Sequence, residues 1–163
     1  MTASKVATSA ASLFFLLSSP INSFAADTFS ATDAQQVRAL FLRQATAETA
    51  HDLAGIDGVL AHATPGQPDP VSFIARAYRF WGLEAVMDHF RTTFTGTWKF
   101  EPDQGAIRIV PMRADVAQIY APTKITIGTA GQPGTQYQFL VNEFAIRTAE
   151  GWRISTIVPV PTQ

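Results

Sequence analysis

Cysteine is absent from this chain of 163 residues, so neither disulfide bonds nor a lipidated N-terminal cysteine is available to it. Charged residues are scarce, at 15%, and the net charge of −1 offers no electrostatic surface for nucleic acid or an anionic membrane. Hydrophobic residues make up 47% of the chain, more than a sheet with one solvated face needs. We therefore expect one core-stabilised domain in which some apolar residues line a cavity or a subunit interface.

Motifs for common cofactors are missing as well. There is no Gly-x-Ser-x-Gly nucleophile elbow, no phosphate-binding glycine loop and no dinucleotide fingerprint, so covalent serine catalysis and nucleotide cofactors are unsupported. The histidines at positions 51, 62 and 89 have neither the paired i, i+4 spacing nor the zincin motif of a metal site. The sequence predicts a protein without cofactor or metal.

Long apolar segments are also lacking, because the run at residues 10–17 is too short to span a bilayer and no longer one follows. Lys5 precedes this run, and Pro20 and the small residues Ser23 and Ala25 follow it. This order is typical of a secretory signal, whereas a buried N-terminal helix is the alternative. We predict a signal peptide over residues 1–25, cleaved after Ala25, and a mature domain over residues 26–163. Its location would be the periplasm or the medium, without stable membrane insertion.

The first half of the mature domain is predicted to be mainly helical. Thr32 opens a capping box, and the apolar stripe of the helix that follows continues into polar residues on the same face: Gln44, Glu48 and Asp52. Asp52 also suits the N-cap of a short second helix. Residues 71–80 contain a strand, and residues 82–94 return to the helical period.

The second half is predicted to be a meander of strands. Turn residues separate five strand-like segments: residues 97–100, 106–110, 116–128, 136–148 and 152–160. Helices followed by such a meander predict the α+β class, with N-terminal helices packed on a curved, mostly antiparallel sheet. Pro122 lies inside the third segment and demands an edge position or a bulge there.

The last two strands can be paired if their connection is the tight loop at residues 149–150. The pairs would then share one face of the sheet: Arg147 with Trp152, Ala145 with Ile154, Glu143 with Thr156 and Val141 with Val158. The opposite face would bear Leu140, Asn142, Phe144, Ile146, Ser155 and Ile157. Both faces are thus largely apolar. We expect helices to cover one face and a second copy of the chain to cover the other, giving a homodimer.

Four stretches carry a resemblance to a known superfamily. They are residues 51–56 at the helix junction, residues 82–86 at the start of the later helix, residues 107–109 with 115–117, and the Gly-Trp-Arg-Ile strand at residues 151–154. In this order they resemble the nuclear-transport-factor-2-like superfamily, and within it the SnoaL-like proteins. The resemblance implies a cone-shaped α+β fold with a ligand pocket at its open end, commonly in a homodimer. The superfamily includes isomerases, dehydratases, cyclases and proteins that only bind, so it does not settle function.

The chain departs from that superfamily where a general base is common. Many relatives carry a histidine four residues after the tryptophan of the last strand, where this chain has Thr156. The tyrosine and aspartate placement of ketosteroid isomerases is also missing.

Glu143 is the most unusual side chain, because it is a carboxylate within the apolar segment 139–146. Burial would raise its pKa and suit it to be a general acid or base. The structural alternative is a carboxylate paired with an arginine or hydrogen-bonded to Thr156. His51 is a second candidate base, with Asp52 beside it at the cone mouth, although Asp52 as a helix cap explains that residue equally well. His89 is predicted to be a surface residue or one that compensates the helix dipole.

The leading functional hypothesis is an exported protein that binds a small hydrophobic ligand. Candidate ligand-binding residues are Tyr78, Trp81, Tyr120, Thr156 and Asp52, besides Glu143 and His51 as candidate catalytic residues. One alternative is a cofactor-independent isomerase, dehydratase or cyclase that uses Glu143 or His51 as its acid or base. Another is a dimeric interaction module without a ligand.

Overall fold

The computed structural model describes residues 28–76 and 78–162, so the predicted signal peptide lies outside the described residues. The described part contains three α-helices and seven β-strands. The helices are α1 (Ala31–Ala50), α2 (Leu53–Val59) and α3 (Leu83–Thr93). The strands are β1 (Ser72–Ala75), β2 (Tyr78–Trp81), β3 (Thr97–Pro102), β4 (Arg108–Arg113), β5 (Val116–Gly128), β6 (Thr135–Thr148) and β7 (Gly151–Pro161). None of the described helices is both long and apolar enough to cross a membrane.

The strands form one curved sheet in the order β2-β1-β7-β6-β5-β3, with β4 also paired to β5. Every pairing is antiparallel except that of β1 with β7. The helices pack on one face of this sheet and bury the large core residues, among them Phe41, Ile56, Phe90, Ile119 and Ile154. The predicted α+β class, with helices on a curved and mostly antiparallel sheet, is confirmed.

Helix α1 begins two residues earlier than predicted. Ser30, not Thr32, is the N-cap: its hydroxyl accepts a hydrogen bond from the backbone N–H of Asp33, and the Asp33 carboxylate accepts one from the Ser30 N–H. The Asp33 carboxylate also accepts a hydrogen bond from the indole N–H of Trp152, with 3.2 Å between Nε1 and Oδ1. It forms an ion pair with Arg147 as well. The Ser30–Asp33 capping box therefore has the same spacing as the predicted one and lies two residues earlier, and the sheet adds two further contacts to Asp33.

A β-bulge at Ser155 changes the predicted register of the last two strands. Arg147 pairs with Trp152 and Ala145 with Ile154 as predicted, but Phe144 then pairs with Thr156 because Ser155 is an extra residue. The predicted pairs of Glu143 with Thr156 and of Val141 with Val158 are wrong. Glu143 instead pairs with Ile157, and Val141 with Pro159.

The bulge also moves side chains between the two faces of the sheet. Ile157 shares the helix-covered face with Glu143 and is 2% exposed, so its predicted position on the outer face is wrong. Thr156 lies on the outer face with Phe144, where its hydroxyl accepts a hydrogen bond from Ser72 at 3.2 Å. A single additional backbone residue thus exchanges Thr156 for Ile157 beside the buried carboxylate.

Pro122 lies in a central strand rather than at an edge of the sheet. On one side β5 pairs with β6 along its length, and on the other side β3 ends opposite Thr123 and β4 begins opposite Tyr120. The carbonyl of Pro122 faces this junction, where it accepts the N–H of Asp103. The side of Pro122 that lacks an N–H therefore faces a break between two partner strands, and no ladder hydrogen bond is lost.

Candidate functional site

A cavity of about 1120 Å³ lies between α3, the β1–β2 hairpin and the concave face of the sheet. Its walls are mainly apolar and aromatic, and include Phe73, Phe80, Trp98, Ile125 and Phe139. Side chains of α3 close it on the helical side: Ala85, Asp88, His89, Thr92 and Thr93. A concave, mostly apolar space of this size with a few polar groups suits a small organic ligand.

His89 is the titratable group most embedded in the cavity wall. Its imidazole packs 4.4 Å from the Phe73 ring and 4.5 Å from the Phe80 ring, measured between ring centroids. Burial lowers its pKa from 6.5, so the neutral imidazole is the form at physiological pH. The predicted surface role of His89 is wrong, because α3 turns this side chain towards the sheet and the hairpin.

Three rings form a continuous apolar surface from the cavity mouth to its wall. Tyr78 is stacked on Phe80 with a centroid distance of 6.3 Å and an interplanar angle of 5°, and Phe80 is stacked on His89. Tyr78 is 64% exposed, so the outer end of this ring stack is open to solvent. Flat apolar groups of a ligand would find parallel ring faces here.

Trp98 connects the cavity to a buried polar cluster behind it. Its indole lines the cavity, and its N–H donates a hydrogen bond of 2.9 Å to the Glu48 carboxylate. The amide of Gln44 donates to both Glu48 and Glu143, each at 2.8 Å. The three polar side chains of this buried cluster, Gln44, Glu48 and Glu143, are at most 2% exposed.

Burial raises the pKa of both carboxyl groups in the buried cluster. The pKa of Glu48 rises to about 7 because desolvation outweighs its hydrogen bonds from Gln44 and Trp98. The pKa of Glu143 lies well above its ordinary value because it is desolvated and because Glu48 is nearby. One oxygen of Glu143 and the amide oxygen of Gln44 have no hydrogen-bond partner within the described residues.

The proposed acid–base residues do not share the cavity. Glu143 faces α1 and is not among the residues that line the cavity. Among the described residues it contacts neither an arginine nor Thr156 by hydrogen bond or ion pair, and Gln44 is its partner instead. His51 is the C-cap of α1, with φ at 55°, and is stacked on Phe94 while its ring nitrogen contacts the Trp98 carbonyl oxygen at 3.0 Å.

The proposed ligand-binding residues are dispersed. Tyr78 lines the cavity mouth, whereas Tyr120 and Thr156 lie on the outer face of the sheet, and Trp81 is 66% exposed at the end of β2 and outside the lining. Asp52 is the N-cap of α2, where its carboxylate accepts the N–H of Gly55 at 3.0 Å. Only Tyr78 of this set meets the cavity.

Sequence reasoning missed His89, and it noted Gln44 and Glu48 without assigning them a role. A signal for the buried cluster was present, because these two polar residues continue the apolar stripe of α1. A signal for His89 was present in α3, since Ala85, His89 and Thr92 form a second stripe beside the buried face of Val86, Met87 and Phe90.

Comparison of the sequence with protein-family models and with curated proteins finds no match. Solved structures do match. A candidate dehydratase of the NTF2-like family from Streptomyces avermitilis is 16% identical, with a TM-score of 0.70 over 80% of this chain and 97% of the other. A candidate aromatic ring hydroxylase from Novosphingobium aromaticivorans is 12% identical, with a TM-score of 0.71 over 82% and 92%. A ketosteroid isomerase-like protein from Erwinia carotovora is 14% identical, with a TM-score of 0.66 over 82% and 99%.

Proposed function

We propose that the protein binds a small, mostly apolar molecule in the cavity between α3 and the sheet, with His89 as its polar contact. The observation that carries this proposal is a cavity of about 1120 Å³ walled by aromatic rings around a neutral imidazole. Among residues 28–76 and 78–162, the histidine rings that form hydrogen bonds are those of His51 and His62 and not that of His89, so the ring nitrogens of His89 are available to a ligand. The NTF2-like fold is compatible with this role. The alternative of a dimeric interaction module without a ligand is disfavoured. Such a module would have side chains filling its cone, whereas this protein has a cavity there.

A pair of matched threonine variants tests where the ligand binds. Thr93→Trp introduces an indole into the cavity, whereas Thr46→Trp places one on the exposed side of α1. We expect the uncharged fluorescent dye phenylnaphthylamine to bind the unmodified protein with one site. Thr93→Trp should weaken this binding by about tenfold or more, and Thr46→Trp should leave it unchanged. Equal affinities in both variants would place the dye outside the cavity and contradict the proposal.

Native mass spectrometry of protein purified from its natural source provides a second test. We expect a mass above that of the polypeptide, with the difference lost on denaturation because the retained molecule is held without a covalent bond. Protein that carries no small molecule and binds no apolar dye would favour the interaction module.

A second candidate function is proton transfer to or from the bound molecule, with His89 as the base. The favouring observation is that burial lowers the pKa of His89, which keeps the imidazole unprotonated and able to accept a proton inside an apolar cavity. Glu143 and His51, the residues proposed from sequence, do not line the cavity. Incubation with the protein should then dehydrate the recovered molecule, seen as a loss of the mass of water, or convert it to an isomer. His89→Phe should abolish this conversion.

A further inference from the structure

We propose that the ligand of this cavity carries an anionic group, which Arg76 binds at the cavity mouth. This inference rests on the proposed function and adds the chemical class of the ligand: an apolar body with one negatively charged end. Two charged side chains line the cavity, Arg76 and Asp88, beside the neutral His89. These two side chains differ in whether they have an ion-pair partner. The difference indicates whether the cavity mouth favours a negatively or a positively charged ligand group.

The charge of Asp88 is already matched, whereas that of Arg76 is not. Asp88 forms an ion pair with Arg91 on the next turn of α3. Among residues 28–76 and 78–162, Arg76 takes part in none of the ion pairs. The net charge of the chain is −1, so an anion gains nothing from the average charge of the molecule and depends on a local cation.

Arg76 stands at a backbone position that suits glycine better. It begins the two-residue connection between β1 and β2, and its φ is 52°, in the left-handed region. Connections of two residues favour glycine or asparagine at such positions, because a larger side chain is strained there. The structure therefore places an exposed arginine with a strained backbone among the residues that line the cavity.

The ring stack of Tyr78, Phe80 and His89 begins beside Arg76 and runs inward. A planar apolar body could lie against these rings while its charged end stays at the solvent-exposed mouth. A guanidinium offers two parallel donors to a carboxylate, sulfonate or phosphate, and charged hydrogen bonds of this kind are stronger than neutral ones. The arrangement thus favours an amphipathic anion over an uncharged apolar molecule of the same shape.

Arg79 supplies a matched control on the same hairpin. It follows Tyr78 by one residue, and because side chains alternate along a strand it points away from the face that bears Tyr78 and Phe80. Arg79 is not among the cavity-lining residues. Arg76→Gln and Arg79→Gln therefore remove the same charge from the same hairpin, but only the first change removes it from the cavity mouth.

Two dyes with the same rings test the inference, since anilinonaphthalenesulfonate carries a sulfonate and phenylnaphthylamine does not. Arg76→Gln should weaken binding of the sulfonated dye by about tenfold and leave the uncharged dye unchanged. Arg79→Gln should change neither affinity. Added salt should weaken only the sulfonated dye in the unmodified protein. An equal effect of Arg76→Gln on both dyes, or on neither, would overturn the inference.

The outcomes separate this inference from the proposed function. If the uncharged dye binds and Thr93→Trp weakens it, while Arg76→Gln spares both dyes, cavity binding stands and the anionic ligand is refuted. If neither dye binds the unmodified protein, both proposals fail. Arg76→Gly adds a check on folding: it should raise the melting temperature because glycine relieves the left-handed strain, and it should still weaken the sulfonated dye.

Discussion

Glu48 and Glu143 accept hydrogen bonds from one amide group, that of Gln44, inside a core that excludes water. An amide can donate to both carboxyl groups, but it cannot neutralise two negative charges. The pKa values of both residues are raised, because desolvation by burial outweighs the hydrogen bonds that they accept, and for Glu143 the nearby Glu48 adds to the rise. The buried cluster is therefore best accommodated when at least one carboxyl group holds a proton.

The first prediction is that the free energy of unfolding decreases as pH rises. Both glutamates titrate near 4.5 when unfolded, whereas the folded pKa is about 7 for Glu48 and well above 4.5 for Glu143. The folded state thus binds more protons than the unfolded state in this window, and stability is lost as pH increases through it. The Glu48 contribution amounts to about 3 kcal/mol, at 1.36 kcal/mol for each pKa unit.

Glu143→Gln should reduce this loss, because an amide keeps the shape of the side chain and carries no charge to desolvate. His89 acts in the opposite direction below pH 6.5, since its folded pKa is lowered. Urea unfolding between about pH 6.5 and 8.5 therefore follows the carboxyl groups without His89, over the upper end of the pH range in which the Glu48 contribution is lost. Glu150→Gln is the control, because the Glu150 side chain is 79% exposed. In this variant the free energy of unfolding should change with pH as steeply as in the unmodified protein. The prediction would be contradicted if the free energy of unfolding of Glu143→Gln changed with pH as steeply as that of the unmodified protein.

At the residue scale the sequence identified Glu143 but not its partner. A carboxylate within an apolar segment is visible in the sequence, and its pKa direction follows from burial alone. Gln44 lies 99 residues away, so the hydrogen bond between them depends on how α1 docks against β6. Of the two predicted cap residues, Asp52 caps α2 as predicted, whereas the N-cap of α1 is Ser30, whose capping box with Asp33 lies two residues before the predicted one.

At the element scale, β3 and β5 approach each other closely beside the cavity mouth. A Cβ atom on Gly96 would collide with the carbonyl oxygen of Gly128. Both residues also line the cavity. The close approach of two backbones here requires a glycine, since a side chain would have to displace a carbonyl group rather than a flexible side chain.

The second prediction compares two glycine substitutions. Gly96→Ala should lower the free energy of unfolding by about 1–3 kcal/mol, because it forces the backbones of β3 and β5 apart. Gly58→Ala should raise it by about 0.5–1 kcal/mol, because Gly58 lies in α2 with nothing near the added atom. Urea unfolding measures both. A neutral result for Gly96→Ala would contradict the close approach.

The predicted strands match the observed ones more closely than their pairing does. Segment 116–128 coincides with β5, and segment 136–148 begins one residue after the start of β6. The hairpin of β1 and β2 was predicted as one strand, because the turn begins with Arg76 rather than glycine. The bulge at Ser155 is stabilised by a hydrogen bond from its hydroxyl to the Phe144 carbonyl at 3.2 Å, a contact that exists only after the strands meet.

At the scale of the whole molecule, the outer face of the sheet carries half-buried apolar side chains among polar ones such as Gln118, Asn142 and Thr156. It is formed by alternate residues of β5, β6 and β7, including Tyr120, Leu140, Phe144, Ile146 and Val158. We propose that a second copy of the chain covers this face. A second copy would bury the large apolar side chains on the side of the sheet that the helices leave open.

The third prediction is that Phe144→Lys gives a monomer. Burying the unpaired lysine charge in an interface without water would cost several kcal/mol. Thr46→Lys places the same charge on the exposed side of α1 and should leave the assembly intact. Sedimentation measures both. An unmodified protein that stays monomeric at high concentration would contradict the proposal.

The fourth prediction concerns export, which the sequence alone supports. We propose that the chain is cleaved after Ala25, because Ser23 and Ala25 occupy the positions where signal peptidase requires small residues. The intact mass of the protein from the periplasm or medium should correspond to a chain that begins at Ala26. A chain that retains Met1 would contradict it.

The intrinsic fluorescence of Trp98 can report on both the cavity and the buried cluster. Its indole forms cavity wall on one side and donates to Glu48 on the other. The other two tryptophans report on different places, since Trp81 is 66% exposed and Trp152 is buried against Phe29. The fluorescence of Trp98 should therefore respond both to occupancy of the cavity and to ionisation of Glu48, so a single emission spectrum would record a ligand and a proton without any added label.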